Sequence, residues 1–225
     1  MKKIAMIPAR MGSQRLKKKN LRELDGVPLI THAIRKCLQS GCFDEIWVNS
    51  EDVEFEAIAK DEGVFFHQRP QELGNNQATS EQFVTEFLNH RDCDLIFQVH
   101  SIAPLLTVND LQRFVNYCES SGKDCVLSCE EIQIECAYKE KPINFVYTEK
   151  TNSQELTPVQ RVSWSVTCWK RSSFLKAAAA GQCATYSGEV GFFNISKLAA
   201  HVIKTEEDLQ FAEAVLPLIE QGVLS

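Results

Sequence analysis

"IPARMGSQRLKKKN", residues 7–20, starts on the last residue of the apolar run Ile4–Ile7 and enters a loop carrying Pro8, Gly12 and Ser13. A short apolar run with a polar loop behind it suits a buried strand followed by a turn. Six cations (Arg10, Arg15, Lys17, Lys18, Lys19 and Arg22) fall between residues 10 and 22 of a chain whose net charge is −6. Such a stretch is either a solvated basic surface or the docking place of a strongly anionic ligand. Its position in the fold decides between them.

Outward from this strand the elements alternate. "PLITHAIRKCLQSG" sets Leu29, Ile30, Ala33, Ile34, Cys37 and Leu38 on one helical face, opened by Pro28 and closed by Gly41. "EIWVNS" reads as a strand, "DVEFEAIAKDEG" as a helix ended by Gly63, and "VFFH" as a strand. A helix from Thr79 to about Asn89, the strand "DLIFQVH", a helix from Thr107 to about Ser120 and the strand "DCVLSC" follow. This order predicts an α/β fold with a doubly wound, mostly parallel sheet. Ligands of such sheets sit at the carboxyl ends of the strands. The loops after Ile7, Asn49, His67 and Val99 are therefore the candidate site.

From about 130 to 170 the rhythm changes. "EIQIECAYKE", "INFVYTEK" and "RVSWSVTCWK" alternate like antiparallel strands, predicting a β-rich insertion in a single domain spanning 1–225. "TEEDLQFAEAVLPLIEQG" reads as a closing helix capped by Thr205, with acids in its first turn.

An acidic chain with no face-wide basic excess is not built for nucleic acid. No apolar run reaches membrane-spanning length, and Pro8 and Arg10 end the signal-like start after a few residues. Nine cysteines, an odd number without zinc-type spacing, read as reduced core residues, and the expected location is the cytoplasm.

In the opening loop, Gly12 allows close approach of backbone to ligand, and Ser13 with exposed N–H groups can bind phosphate oxygens. Arg10, Arg15 and Lys19 can neutralise several negative charges at once. The Walker pattern is absent, so a P-loop ATPase is not indicated.

At this point "IPARMGSQRLKKKNL" resembles the amino-terminal signature of the acylneuraminate and related cytidylyltransferases. "VPLITHAI", "FDEIWVNSEDVEFEAIAKDEG", "QRPQELGNNQATS" and "KTEEDLQFAE" are similar to further family segments in the same order. The resemblance implies a Rossmann-like domain of the nucleotide-diphospho-sugar transferase type. In this family the sugar hydroxyl attacks the α-phosphorus of CTP, and pyrophosphate leaves. Carried over by position, Arg10, Ser13, Lys19 and Asn20 would hold the triphosphate, with Gly12 and Arg15 in the same loop. Arg69, Ala78 and Ser80 would read cytosine and position the nucleotide. The resemblance also implies a homodimer paired through the insertion, a small acidic acceptor such as a nonulosonate, and magnesium.

Two departures from the family pattern stand out. Where D-x-D is usual before the last helix, this chain has "VIKTEED", with Val202 and Lys204 in the aspartate positions. The metal ligands are therefore unassigned, and Lys204 is a candidate stand-in for the missing positive charge. After the fourth strand, "HSIAPLL" replaces Q-P-T-S-P-L-R, with His100 for the glutamine and Leu106 for the arginine. His100 and Ser101 become the candidate acceptor contacts. His100 is expected to hydrogen-bond an acidic group or accept a proton near neutral pH. Two alternatives stay open: the same chemistry on a phosphonate or another small acid, and a non-catalytic relative that has lost its metal site.

Overall fold

Residues Lys3–Pro8 form β1, and its alternation sets up both halves of the core. Ala5 and Ile7 point into one apolar cluster, Ile4 and Met6 into another, and all four are fully buried. The structure, a computed structural model, describes residues 1–224.

A hairpin follows, β2 (Glu23–Leu24) and β3 (Val27–Pro28), turned by Asp25 and Gly26 at φ 51° and 70°. Both turn residues are left-handed, the geometry that an Asp-Gly pair favours. The helices are α1 (Leu29–Ser40), α2 (Glu54–Asp61), α3 (Ser80–His90), α4 (Val108–Ser120), α5 (Arg171–Ala179) and α6 (Glu206–Glu220). The remaining strands are β4 (Glu45–Ser50), β5 (Phe65–Gln68), β6 (Leu95–Val99), β7 (Cys125–Ile132), β8 (Ala137–Tyr138), β9 (Lys141–Pro142), β10 (Val159–Lys170) and β11 (Val190–Asn194).

The main sheet runs β11-β7-β10-β6-β1-β4-β5. All neighbours are parallel except β10, which is antiparallel to both β6 and β7. The chain leaves β1 for β4 and β5 on one side, then returns to β6 on the other. That reversal opens a crevice at the carboxyl ends of β1 and β6.

Helices α1, α2 and α4 bury Ile34, Phe55 and Phe114 against the Ala5–Ile7 face. Helices α3 and α5 bury Phe87 and Phe174 against the Ile4–Met6 face. Helix α6 closes a third cluster, setting Leu209, Ala212 and Leu216 against Leu16, Leu24 and Leu105. Thr79, Thr107 and Thr205 cap α3, α4 and α6, each completed by a side chain three residues on, Gln82, Asp110 and Asp208. Gly41 closes α1 at φ 63°.

The stretch 130–170 divides in two. Residues 133–158 form the small β8–β9 hairpin and turns, and "INFVYTEK" forms no strand. "RVSWSVTCWK" is instead most of β10, in the middle of the main sheet, and Trp169 is a core residue 1% exposed. Its alternation was legible, but its partners β6 and β7 lie far away in sequence. Val162 pairs with Cys129 and Thr167 with Leu127, so five steps along β10 match two along β7. This bulge holds Trp164 at φ 60°, a conformation a bulky residue rarely adopts.

All nine cysteines are unpaired, and six of them, Cys37, Cys93, Cys118, Cys125, Cys129 and Cys168, are buried. Among the described residues no helix is long and apolar enough to cross a membrane.

Candidate active site

The loops after β1, β5 and β6 meet over the crevice and line a cleft of about 280 Å³. Most sequence-predicted residues converge there: Arg10, Ser13, Lys19 and Asn20 from the first loop, Arg69, Ala78 and Ser80 from the second, and His100 and Ser101 from the third. None of the lining residues is acidic. The cleft is therefore a cationic, polar pocket in an acidic protein.

Arg10 reaches across the mouth, its Nη1 donating to the Asn75 carbonyl (3.1 Å) and to Asn76 Oδ1 (3.0 Å). Asn20 is buried and ties two loops together. Its Nδ2 donates to the Arg10 carbonyl (2.9 Å), and its Oδ1 accepts from Ser101 Oγ (2.7 Å). Lys19 Nζ donates to the Ile203 carbonyl (3.3 Å), just before α6. Burial pulls the Lys19 ammonium down to about 8; Arg15, Arg10 and Lys204 push it the same way, and Asp208 opposes them. A cation held against like charges in a partly dry wall is poised for an anion.

Arg15 is exposed, lies outside the cleft wall and acts through its field on Lys19. Gly12 is also outside the wall, and a Cβ there would meet nothing within 4 Å. Lys204 is exposed and does not line the cleft either, although its charge is felt by Lys19.

Arg69, 3% exposed, is the most tightly held of the set. Its Nη2 donates to Glu51 Oε2 (2.8 Å) and to the Ala9 carbonyl (2.9 Å), and its Nη1 to Asn49 Oδ1 (3.2 Å). The guanidinium also lies over the Phe83 ring, 4.8 Å from its centre. One donor, Nε, is buried without a protein partner. Glu51, Asn49 and Phe83 escaped the sequence reading. The available signal was that Asn49 and Glu51 flank the carboxyl end of "EIWVNS".

His100 differs from its expected role. Burial pushes its imidazole down to about 4, and Lys19 adds to the shift. It is therefore a neutral hydrogen-bonding group at neutral pH and is not poised as a proton acceptor. Its Nε2 contacts the Gln98 side-chain amide.

A second cavity of about 430 Å³ adjoins the first and shares Ser80 and His100 with it. Its far wall carries Trp164 from the β10 bulge, together with Cys183, Thr185 and Tyr186. Its one acid, Glu81, accepts from the Thr185 N–H (3.0 Å) and hydroxyl (3.2 Å). Trp164 is what the stretch "SWSVTCW" contributes to this second cavity.

The residues present do not fit a magnesium ion held by protein carboxylates. Asp208 Oδ2 already accepts from the Lys204 and Thr205 N–H groups (both 2.8 Å) and from Thr205 Oγ1 (3.0 Å). Glu51 is engaged by Arg69 and by the Met11 N–H (3.0 Å).

Comparison with known proteins agrees with this geometry. A family model described as cytidylyltransferase matches residues 4–222. The pseudaminic acid cytidylyltransferase of Campylobacter jejuni is 33% identical over 170 residues, covering 70% of this chain and 73% of the relative. The N-acylneuraminate cytidylyltransferase of Streptococcus agalactiae is 32% identical over 136 residues, covering 59% of this chain but only 33% of the relative. Among solved structures, a CMP:2-keto-3-deoxy-manno-octonic acid synthetase complexed with CTP superposes with a TM-score of 0.68 at 15% identity, covering 97% of this chain and all of that one. That likeness shows the fold. With the family model spanning nearly every described residue, the chain belongs to the cytidylyltransferase family.

Proposed function

We propose that the protein transfers CMP from CTP to the hydroxyl of a small acidic sugar, releasing pyrophosphate. The observation carrying this reading is the pair of cavities meeting at Ser80 and His100. One cavity is cationic, as the phosphates of a nucleotide require; the other has an aromatic wall suited to a sugar ring.

In the proposed reaction the acceptor oxygen forms a bond to the α-phosphorus. The bond from that phosphorus to the bridging oxygen of pyrophosphate breaks, and the hydroxyl proton passes to solvent. Negative charge grows on the leaving oxygens, where Arg10 and Lys19 act as the catalytic cations. Arg69 and Phe83 hold the base, while Ala78 and the start of α3 at Ser80 flank it. The nonulosonate class rests on what the Campylobacter and Streptococcus relatives are named for. The acceptor cavity has no cation in its own wall, so an acceptor carboxylate is best placed near the shared edge, toward Lys19.

A second reading is favoured by one observation, the missing carboxylate pair: a relative that binds nucleotide without turnover. Pyrophosphate release, measured with CTP, UTP, ATP and GTP against N-acylneuraminates, other nonulosonates and phosphonates, separates these. Release with CTP and a nonulosonate is expected. Release with a phosphonate alone would replace the acceptor, and CTP binding without release from any acceptor would favour the second reading.

The working unit of this proposal is a homodimer joined through residues 133–158. Ile134, Tyr138, Ile143 and Tyr147 are each more than half exposed there, an apolar display a lone chain gains nothing from.

A further inference from the structure

On the Ile4–Met6 face of the sheet, away from the cleft lining, three side chains converge that the transfer chemistry does not use. His67 lies on β5 and is 7% exposed; Glu86 and His90 lie four residues apart, on one face of α3. Glu86 Oε2 is 2.8 Å from His67 Nε2, and Glu86 Oε1 is 3.2 Å from His90 Nδ1. The three donor atoms all lie within 4.8 Å of one another. We propose that His67, Glu86 and His90 form a metal site for zinc or a similar borderline divalent ion, which pins β5 to α3.

The chemistry selects the ion class. Zinc bonds to imidazole nitrogen and carboxylate oxygen at about 2.0–2.2 Å, so neighbouring ligand atoms in a tetrahedron stand roughly 3.3 Å apart. The two contacts to Glu86 already have about that spacing. The remaining separation closes by turning His90, whose side chain is 59% exposed and whose Nδ1 is otherwise engaged only by the Glu86 carbonyl (2.9 Å). His67 is held by the Phe87 ring, edge-on at 5.1 Å, so the buried ligand is pre-oriented. One carboxylate and two neutral imidazoles suit a borderline cation and suit magnesium poorly, because magnesium prefers oxygen and water. The solvent side of His90 leaves the fourth position to water.

The location gives the ion a purpose. His67 is two residues before Arg69, and Phe83, under the Arg69 guanidinium, lies one turn before Glu86 and Phe87 on α3. An ion here clamps the strand and helix that carry both groups, from behind the cleft. Its effect is on stability, and turnover does not need it.

Protein freed of metal with a chelator is titrated with Zn²⁺ and with Co²⁺, alongside His90→Ala and Glu86→Gln. Zinc is expected to bind at about one equivalent and to raise Tm by roughly 5–10 °C at a hundredfold excess over Kd. Co²⁺ should give visible tetrahedral bands without near-ultraviolet thiolate charge transfer, which excludes the cysteines as ligands. His90→Ala, at an exposed position, should keep the wild-type circular dichroism and CTP affinity while losing on the order of 100-fold in zinc affinity. Absence of binding, a thiolate band, or unchanged affinity in both variants overturns the site. CTP binding, read in the same samples, reports on the nucleotide pocket independently.

Discussion

Glu51 holds Arg69 by a 2.8 Å contact between two side chains that are both almost fully buried. Burial works against the Arg69 charge, and the Glu51 carboxylate is what compensates it. The pair fixes the guanidinium and leaves its buried Nε without a protein partner. A rigid, partly unsatisfied donor is what discriminates a base carrying a carbonyl acceptor at the right place.

Arg69→Ala is therefore expected to erode the preference for CTP over UTP and the purine nucleotides. Glu51→Gln keeps the shape but removes the charge, and should weaken CTP by roughly tenfold or more through misplacement of Arg69. Isothermal titration with the four nucleotides checks both. Unaltered selectivity in Arg69→Ala would remove Arg69 from base recognition.

Gly74 offers a second handle on the same pair. A Cβ added there would lie 2.3 Å from Glu51 Cγ and Cδ, inside any tolerated contact. Because Glu51 is pinned by Arg69 and by the Met11 N–H, it cannot simply swing away. Gly74→Ala should lower CTP affinity while leaving the sheet intact, with a ΔΔG of folding of about 1–3 kcal/mol. Nucleotide titration beside thermal unfolding separates the two effects.

Lys19 predicts a proton-linked binding step. Its folded pKa is depressed to about 8, mainly by burial, so at pH 8.5 much of it is neutral in the free protein. A bound triphosphate favours the charged form and raises that pKa, so CTP should take up protons on binding at pH 8.5 and far fewer at pH 6.5. Calorimetry in buffers of different ionisation enthalpy measures the uptake. Lys19→Ala should abolish most of it and cut turnover on the order of 10²-fold. Normal turnover in that variant rejects the phosphate-loop assignment.

Lys204 tests the missing aspartates. Being exposed, Lys204→Ala should lower turnover only roughly two- to fivefold, through loss of its own positive potential near the cleft, because its repulsion of the Lys19 ammonium works in the opposite sense. Lys204→Asp puts back one carboxylate of the family pattern and should steepen the response to magnesium. Activity against magnesium concentration, with EDTA as the zero point, is the measurement; three coincident curves would leave Lys204 as a surface lysine.

The residues 133–158 should pair two subunits through Tyr138 and Tyr147. Wild type is expected to sediment as a dimer at micromolar concentration, and the double substitution Tyr138→Asp, Tyr147→Asp as a folded monomer. A monomeric wild type ends this proposal.

Much of this molecule is written in short-range pattern. The helices announce themselves by spacing and by the capping threonines Thr79, Thr107 and Thr205, because caps and amphipathic faces are set within a few residues. The cationic loop could be placed after the first strand for the same reason, and nine of the twelve residues expected at the site do line the cleft. Long-range pairing obeyed no such local rule. Whether "RVSWSVTCWK" became an arm or a central strand depended on which edge of β6 and β7 was free to accept it, and its own alternation suits either outcome. The neutral state of His100 comes from burial by residues remote in sequence, as do the Glu51 brace on Arg69 and the meeting of His67 with Glu86. Desolvation and side-chain contact depend on where the backbone has already gone, and a one-dimensional pattern carries only the instructions for its local turns.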